Sequence, residues 1–500
     1  MSTATSIISS GSDRLDAWTR RSKPKIEVNL TGQKPGHVNS YTTGESIDGS
    51  ITVTVQHETR FEEVEIVFEG VARTTVERAS CPGRTGSQQM FLKLRQPIDE
   101  MDYPTPRVLE GGRSYEYPFT FVVPDRLLPQ VCTHSTKNAH IQRSHTMLPP
   151  TLGDPILASN GKTLLDDMTP SMSQIAYTIR ASVLQKQPVG PGVVAIAGIA
   201  KKVRIIPTVE EEPPVETSAS PSFCTRKEKS VKRGTLRGKL GRIVASSSQP
   251  KPIQLLPPDG EPTDTVSTVA TVNLRFDPVG DEQPPPLGTM TSKLRVHTFF
   301  SAAPWDDFPS TTGMPFAAIG CGLYTESVPL LTMCVASAQW TKQSTAAEAM
   351  RRDSTDSSSS DSSTGPSSTF TGDTYYTASI VVPVTLPKSK AFVPTFHTCL
   401  ISRIYALDLS LTYHTPATNV MTPTISLCLP VQFTSQAKRA ESIKTHLDVT
   451  VTQQELEEFF NPRNVTSPTD FSNTCSNVVV DVGLAPPEYS ERLSTLRASR

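Results

Sequence analysis

Apolar and polar residues alternate with a period of two over much of the chain. In the first 200 residues, Ile26, Val28 and Leu30 alternate with Glu27 and Asn29; Ile51, Val53 and Val55 alternate with Thr52 and Thr54; Val64, Ile66 and Phe68 alternate with Glu65 and Glu69. Successive side chains of a strand point to opposite faces, so the pattern predicts antiparallel strands covering a core on one side. Tyr115, Tyr117, Phe119 and Phe121 repeat it before Pro124, Tyr177, Ile179, Ala181 and Val183 repeat it again, and 201–207 (KKVRIIP) reads as a closing strand. Turns such as Thr43-Gly44-Glu45 and Glu110-Gly111-Gly112 separate these runs. No amphipathic helix of useful length intervenes, which predicts a β-sandwich over 24–207 rather than a βαβ sheet. The stretches 77–110 and 129–172 lack the alternation and are expected to be loops.

Residues 208–234 change to Glu, Pro and Ser and then to Arg and Lys, as a linker would. A second series follows: Val272, Leu274 and Phe276; Leu294 and Val296; Ala378, Ile380 and Val382. Its clearest members come last, Tyr405, Leu407, Leu409, Leu411 and Tyr413, then Ile425, Leu427, Leu429, Val431 and Phe433. Such rows on neighbouring strands need a facing sheet, which predicts a second sandwich over 235–435. Within it, about 341–374 is expected to be a disordered insertion, because 354–368 (STDSSSSDSSTGPSS) has nothing to bury. The expected fold is therefore all-β: two tandem antiparallel β-sandwiches, with a disordered N-terminus over 1–23 and a flexible tail over 436–500 that holds one short helix near 447–460.

Composition narrows the functional classes. A hydrophobic fraction of 36% with 43 prolines suits folded modules interrupted by irregular segments. The formal net charge of −1 gives no global reason to expect nucleic acid. Eight cysteines without a CxxC pair, behind an N-terminus with no apolar h-region, predict reduced thiols in the cytoplasm. The longest apolar run, 193–200, is far shorter than the ~20 residues needed to cross a bilayer, so any membrane contact is expected to be peripheral.

Near the C-terminus, Ala485-Pro486-Pro487-Glu488-Tyr489 spells P-P-x-Y. Successive prolines favour a polyproline II helix whose ridges fit aromatic-lined grooves, and the tyrosine adds an amphipathic anchor. WW domains bind such peptides, so Pro486, Pro487 and Tyr489 are candidate WW-domain contacts. By random-coil scaling, some fifty residues of tail let this peptide range about 40 Å from the body.

Several stretches resemble the α-arrestins, the arrestin-related trafficking adaptors of fungi and animals. Residues 41–51 (YTTGESIDGSI) are similar to the family's Y-x-x-G-x-x-V-x-G-x-V strand pair, 64–70 (VEIVFEG) to the next strand ending in Gly, and 109–124 to its G-x-Y-x-F-P-F-x-F-x-L-P segment. Residues 175–181 are similar to a Y-x-I-x-A strand and 148–154 (LPPTLGD) to a loop of fungal members. The match is good over 24–207 and looser over 235–435. The resemblance implies arrestin-like sandwiches and a cytosolic adaptor that recruits a HECT-type ubiquitin ligase through its WW domains to plasma-membrane transporters or receptors and endosomes. Lys438 and Lys444 are then candidate ubiquitin acceptors. One departure is that 31–44 contains no acidic residue, where visual and β-type arrestins keep one member of a buried polar core.

Other chemistry is sparse. His134, His140 and His145 beside Cys132 match no closed tetrahedral spacing, so neither metal nor cofactor is expected. No G-x-S-x-G, H-E-x-x-H or phosphate loop occurs, and no enzyme is expected. The run 226–242 (RKEKSVKRGTLRGKLGR) is strongly basic, and Lys227, Lys229, Lys232 and Arg233 are candidate contacts for anionic lipid or an acidic cargo tail. Ser354, Ser357, Ser358, Ser359, Ser360, Ser362 and Ser363 lie among acidic residues and are candidate phosphosites. A retromer-like cargo-sorting scaffold that acts without a ubiquitin ligase is the alternative function.

Overall fold

In the computed structural model, the described residues are 23–33, 38–77, 83–154, 165–187, 190, 192–214, 222–233, 238–256, 266–311, 320–345, 364–416 and 422–436. The tail motif, Lys438, Lys444, all seven candidate phosphosites and the helix expected near 447–460 lie outside them. The described part is all-β, as the alternation predicts.

The first sandwich faces a three-stranded sheet, β1 (Lys25–Leu30), β3 (Ser46–Thr54) and β8 (Ser114–Val122), against a five-stranded one. The latter runs β2 (Ser40–Tyr41), β10 (Val193–Ile205), β9 (Ser173–Lys186), β5 (Glu63–Glu77) and β6 (Arg84–Gln96), while β4 (Thr59–Arg60) pairs separately with β7 (Val108–Leu109). Register carries the alternation across strands: Ile51 lies opposite Val28 on one side and Tyr117 on the other, and all three are buried. Phe68 and Tyr177 answer from the other sheet, with ring centroids 5.9 Å apart.

Loops were expected where two of these elements stand. β5 continues past Gly70 to Glu77 and pairs with β6, inside the supposed loop 77–110. The first half of β6 has no apolar row, since RTGSQQ is polar on both faces of a sheet edge, so periodicity could not find it. Gly70 does not end its strand; it sits at a bulge where an added Cβ would fall 2.4 Å from the Phe91 ring of β6. In 129–172, a 3-10 turn at Pro129–Val131 leads to a helix, α1 (Ala139–His145), which begins where the Asn138 side chain accepts from the Ile141 N–H at 3.0 Å.

The second sandwich packs β11 (Arg226–Lys232), β12 (Lys239–Ser246), β14 (Ser267–Pro278), β18 (Thr374–Thr385) and β17 (Thr341–Ser344) over β16 (Cys321–Cys334), β15 (Leu287–Ser301), β20 (Ile401–Tyr413) and β19 (Phe396–His397). β21 (Thr424–Val431) adds to β20, and β13 (Ile253–Leu255) runs parallel to β22 (Phe433–Ser435). Leu274 and Phe276 from one sheet meet Leu294, Leu407 and Leu429 from the other. The expected linker is corrected at 226–232, which is a strand. Its polar residues alternate with almost no apolar partner, and only Val231 is buried, because β11 is a sheet edge. The expected insertion is likewise narrower: Thr341–Ser344 is strand, and Thr364 and Ser367 are buried.

Each sandwich also completes the other's interior. Val393, Phe396, Cys399, Leu400 and Ile401, from the run into β20, belong to the first core, whereas Met168 from the first sandwich belongs to the second. Arg403, fully buried, holds the exchange by donating to the carbonyls of Asp167 (2.6 Å) and Met168 (3.0 Å) and to the hydroxyls of Thr169 (2.7 Å) and Thr298 (2.8 Å). Five donors on a planar fork suit a site made of carbonyl and hydroxyl oxygens.

Candidate functional site

Beside this exchange, four side chains from distant parts of the chain converge. The turn at Pro129–Val131 ends on Cys132, whose N–H donates to the Pro129 carbonyl, and Gln89 Nε2 on β6 donates to the Val131 carbonyl at 2.8 Å. His134 follows two residues later. His145 is the last residue of α1. Cys399 lies in the turn between β19 and β20, where Thr398 Oγ1 donates to the Ile401 carbonyl (2.8 Å) and accepts from the Ile401 N–H (2.9 Å). The Trp305 N–H donates to the Cys399 carbonyl (2.9 Å), tying the turn to the segment after β15.

Cys132 Sγ lies 3.3 Å from His134 Nε2 and 3.6 Å from His145 Nδ1, and the ligand atoms of Cys132, His134, His145 and Cys399 all lie within 4.8 Å of one another. Cys132, His145 and Cys399 are buried and His134 is partly so. Burial, reinforced by His134, pushes the His145 imidazole down to about 4, so its ring is neutral near pH 7. Burial raises the Cys132 thiol and pushes Cys399 up to about 12. Buried, neutral thiols are poor nucleophiles, which argues against a Cys–His catalytic pair.

The geometry gathers four side chains that could hold a metal ion, a grouping that the spacing of Cys132 and its neighbouring histidines did not suggest. Sequence spacing brings Cys132, His134 and His145 within fourteen residues but has no way to add Cys399 from the other sandwich. Of the three histidines near Cys132, His140 turns away, and its ring packs on Phe308 with centroids 5.3 Å apart.

The basic run is divided by its strand. Lys227 lines a groove of about 330 Å³ with Lys293, Arg295, Asp408 and Cys428, where Arg295 donates to Asp408 at 2.6 Å. Lys229 donates to the Thr424 carbonyl (2.8 Å), Arg233 pairs with Glu282, and Lys232 is exposed. Arg226 and Arg242 both pair with Glu228, so the run is not a free cationic strip.

No protein-family model matches the chain, and no curated protein matches it. The assignment of function therefore rests on the chain's own motif and surfaces. Among the described residues, β10 is a sheet edge along 193–200, since β2 pairs with it at Arg204 and Ile205, beyond that stretch. Val193, Val194 and Ile199 on that edge are exposed.

Proposed function

We propose that this protein is a non-catalytic adaptor that brings a WW-domain HECT-type ubiquitin ligase to a membrane transporter or receptor, promoting ubiquitination and endocytosis. The observation that carries the reading is Pro486-Pro487-Glu488-Tyr489 following two tandem sandwiches. The motif docks a ligase as a pre-extended polyproline II peptide. The sandwiches hold cargo, and two surfaces have the chemistry for an extended acidic tail: the open edge of β10 accepts a strand by main-chain hydrogen bonding, and the groove at Lys227, Lys293 and Arg295 offers cations. Holding ligase and cargo on one chain raises the effective concentration of acceptor lysines without catalytic groups in the adaptor.

The test is a WW-domain pull-down of the full chain and its Tyr489→Ala variant. Retention of the variant is expected to fall by about tenfold or more, as when a buried aromatic anchor is removed, with its melting temperature unchanged. Equal retention of both chains overturns the reading.

A further inference from the structure

We infer that Cys132, His134, His145 and Cys399 form a structural zinc site that clasps the two sandwiches together. Zinc takes thiolate and imidazole ligands tetrahedrally, with Zn–S near 2.3 Å and Zn–N near 2.0–2.1 Å, which sets ligand sulfur and nitrogen about 3.6 Å apart. The two Cys132 to histidine separations, 3.3 and 3.6 Å, sit at that spacing, and the mutual 4.8 Å limit places the fourth ligand atom in the same cluster. Four protein ligands close the coordination shell and leave no position for substrate, as in structural rather than catalytic sites.

Charge and orientation agree with this assignment. Two thiolates and two neutral imidazoles balance one divalent cation, giving a neutral centre that can be buried without a further partner. On binding, each cysteine gives up its proton to solvent and the sulfur lone pair takes its place on the metal. His134 Nδ1 lies 3.1 Å from the Ser135 carbonyl, so it carries the proton and donates there. That hydrogen bond leaves the Nε2 lone pair facing Cys132, the outer-sphere arrangement that fixes a metal-binding imidazole.

The site is also placed to matter mechanically. Three ligands come from the 129–172 segment of the first sandwich and the fourth from the β19–β20 turn of the second. Zinc bound here favours the state in which the two sandwiches are joined, and its removal weakens that junction by linkage.

The experiment measures metal in the full-length chain, purified under reducing conditions and dialysed against metal-free buffer. Mass spectrometry of the metal is expected to find about one zinc per chain, and cobalt taken up in its place is expected to give the visible d–d and thiolate charge-transfer bands of a tetrahedral site with two sulfurs and two nitrogens. Cys399→Ser and His134→Ala are expected to bind about a tenth as much metal or less, while His140→Ala keeps its full complement. Chelation is expected to lower the melting temperature of the wild-type chain by several degrees and that of Cys399→Ser hardly at all. A wild-type chain that holds neither zinc nor cobalt overturns the inference whether or not the variants fold. So does a Cys132–Cys399 disulfide trapped by alkylation in the isolated chain, or full metal retention by Cys399→Ser.

Discussion

The interior of the first sandwich is built around rings: Tyr177 between Phe68 and Phe91 at 5.9 and 5.4 Å, Phe121 against Phe68 at 5.9 Å, and Phe61 on Tyr103 at 5.7 Å. The second also has a stack, Tyr405 on Phe433 at 3.8 Å, but it encloses charge as well. Arg275 and Asp277 are 2% and 4% exposed, Arg403 is fully buried, and His297 is buried beside Arg295. Rings and aliphatic chains lose stability in increments as atoms are removed. A buried ion depends on its partner, because losing the partner leaves an uncompensated charge in a poor solvent. The Arg275–Asp277 pair and His297 therefore make the second core answer abruptly to a single polar substitution or to pH, whereas the ring cluster of the first answers in graded steps; the buried His145 of the first sandwich shares the pH response.

The sharpest way to break this contrast is Asp277→Ala. Asp277 accepts from Arg275 Nε at 2.8 Å and from the Ser367 N–H at 2.7 Å, while the Arg275 guanidinium lies 3.7 Å from the Tyr375 ring centroid. Removing the carboxylate takes this acceptor from both donors, and a loss of about 3–5 kcal/mol is expected in urea denaturation, with faster hydrogen exchange at 367–370. The double replacement Arg275→Met with Asp277→Leu is expected to restore most of it. A single-variant loss under about 1 kcal/mol would show that Asp277 does not hold the second sandwich together.

Next in size is a pH effect. Burial first, and the charge on Arg295 second, push His297 down to about 4, while its Nδ1 sits 2.9 Å from Thr325 Oγ1. The unfolded chain binds this proton at about 6.5 and the folded chain only near 4, so stability is present above 6.5 and is lost as pH falls to about 4. The loss is on the order of 3 kcal/mol by the free energy of such a shift. Denaturation curves for wild type and His297→Gln should converge across this window; parallel curves would assign the pH response elsewhere.

The smallest effect belongs to the ring-built half. Ile179→Val removes one buried methyl group from the first core and is expected to cost about 0.5–1.5 kcal/mol, equally at pH 7 and pH 5. A pH-dependent cost there would blur the distinction between the halves.

The same contrast shows what the sequence could convey. Where a strand has one wet and one dry face, as in Tyr405 to Tyr413 or Tyr177 to Val183, alternation located it directly. β11 and the start of β6 escaped because edge strands with solvent near both faces need no apolar row. β5 shows the opposite case: the buried row of Val64, Ile66 and Phe68 runs on past Gly70 to Thr74, a polar residue that donates to the Ser301 carbonyl of the second sandwich at 2.7 Å. Three members of the Cys/His cluster were visible as chemistry without a geometry. The fourth was not, since only the packing of one sandwich on the other brings Cys399 beside Cys132. Arg403 was invisible for a similar reason: it extends the dry row of Tyr405 to Tyr413, and the carbonyls of Asp167 and Met168 that accept from it come from the other sandwich.

The reciprocal loan of side chains between the two cores bears on how such a protein can be divided. A fragment ending at residue 207 would carry its own strands but have holes where Phe396, Leu400 and Ile401 belong, and its partner would lack Met168 beneath Arg403. The halves are thus not interchangeable modules. Insertions are expected to be better tolerated in outer loops than in 165–169 or 391–401, and the two sandwiches are expected to unfold together.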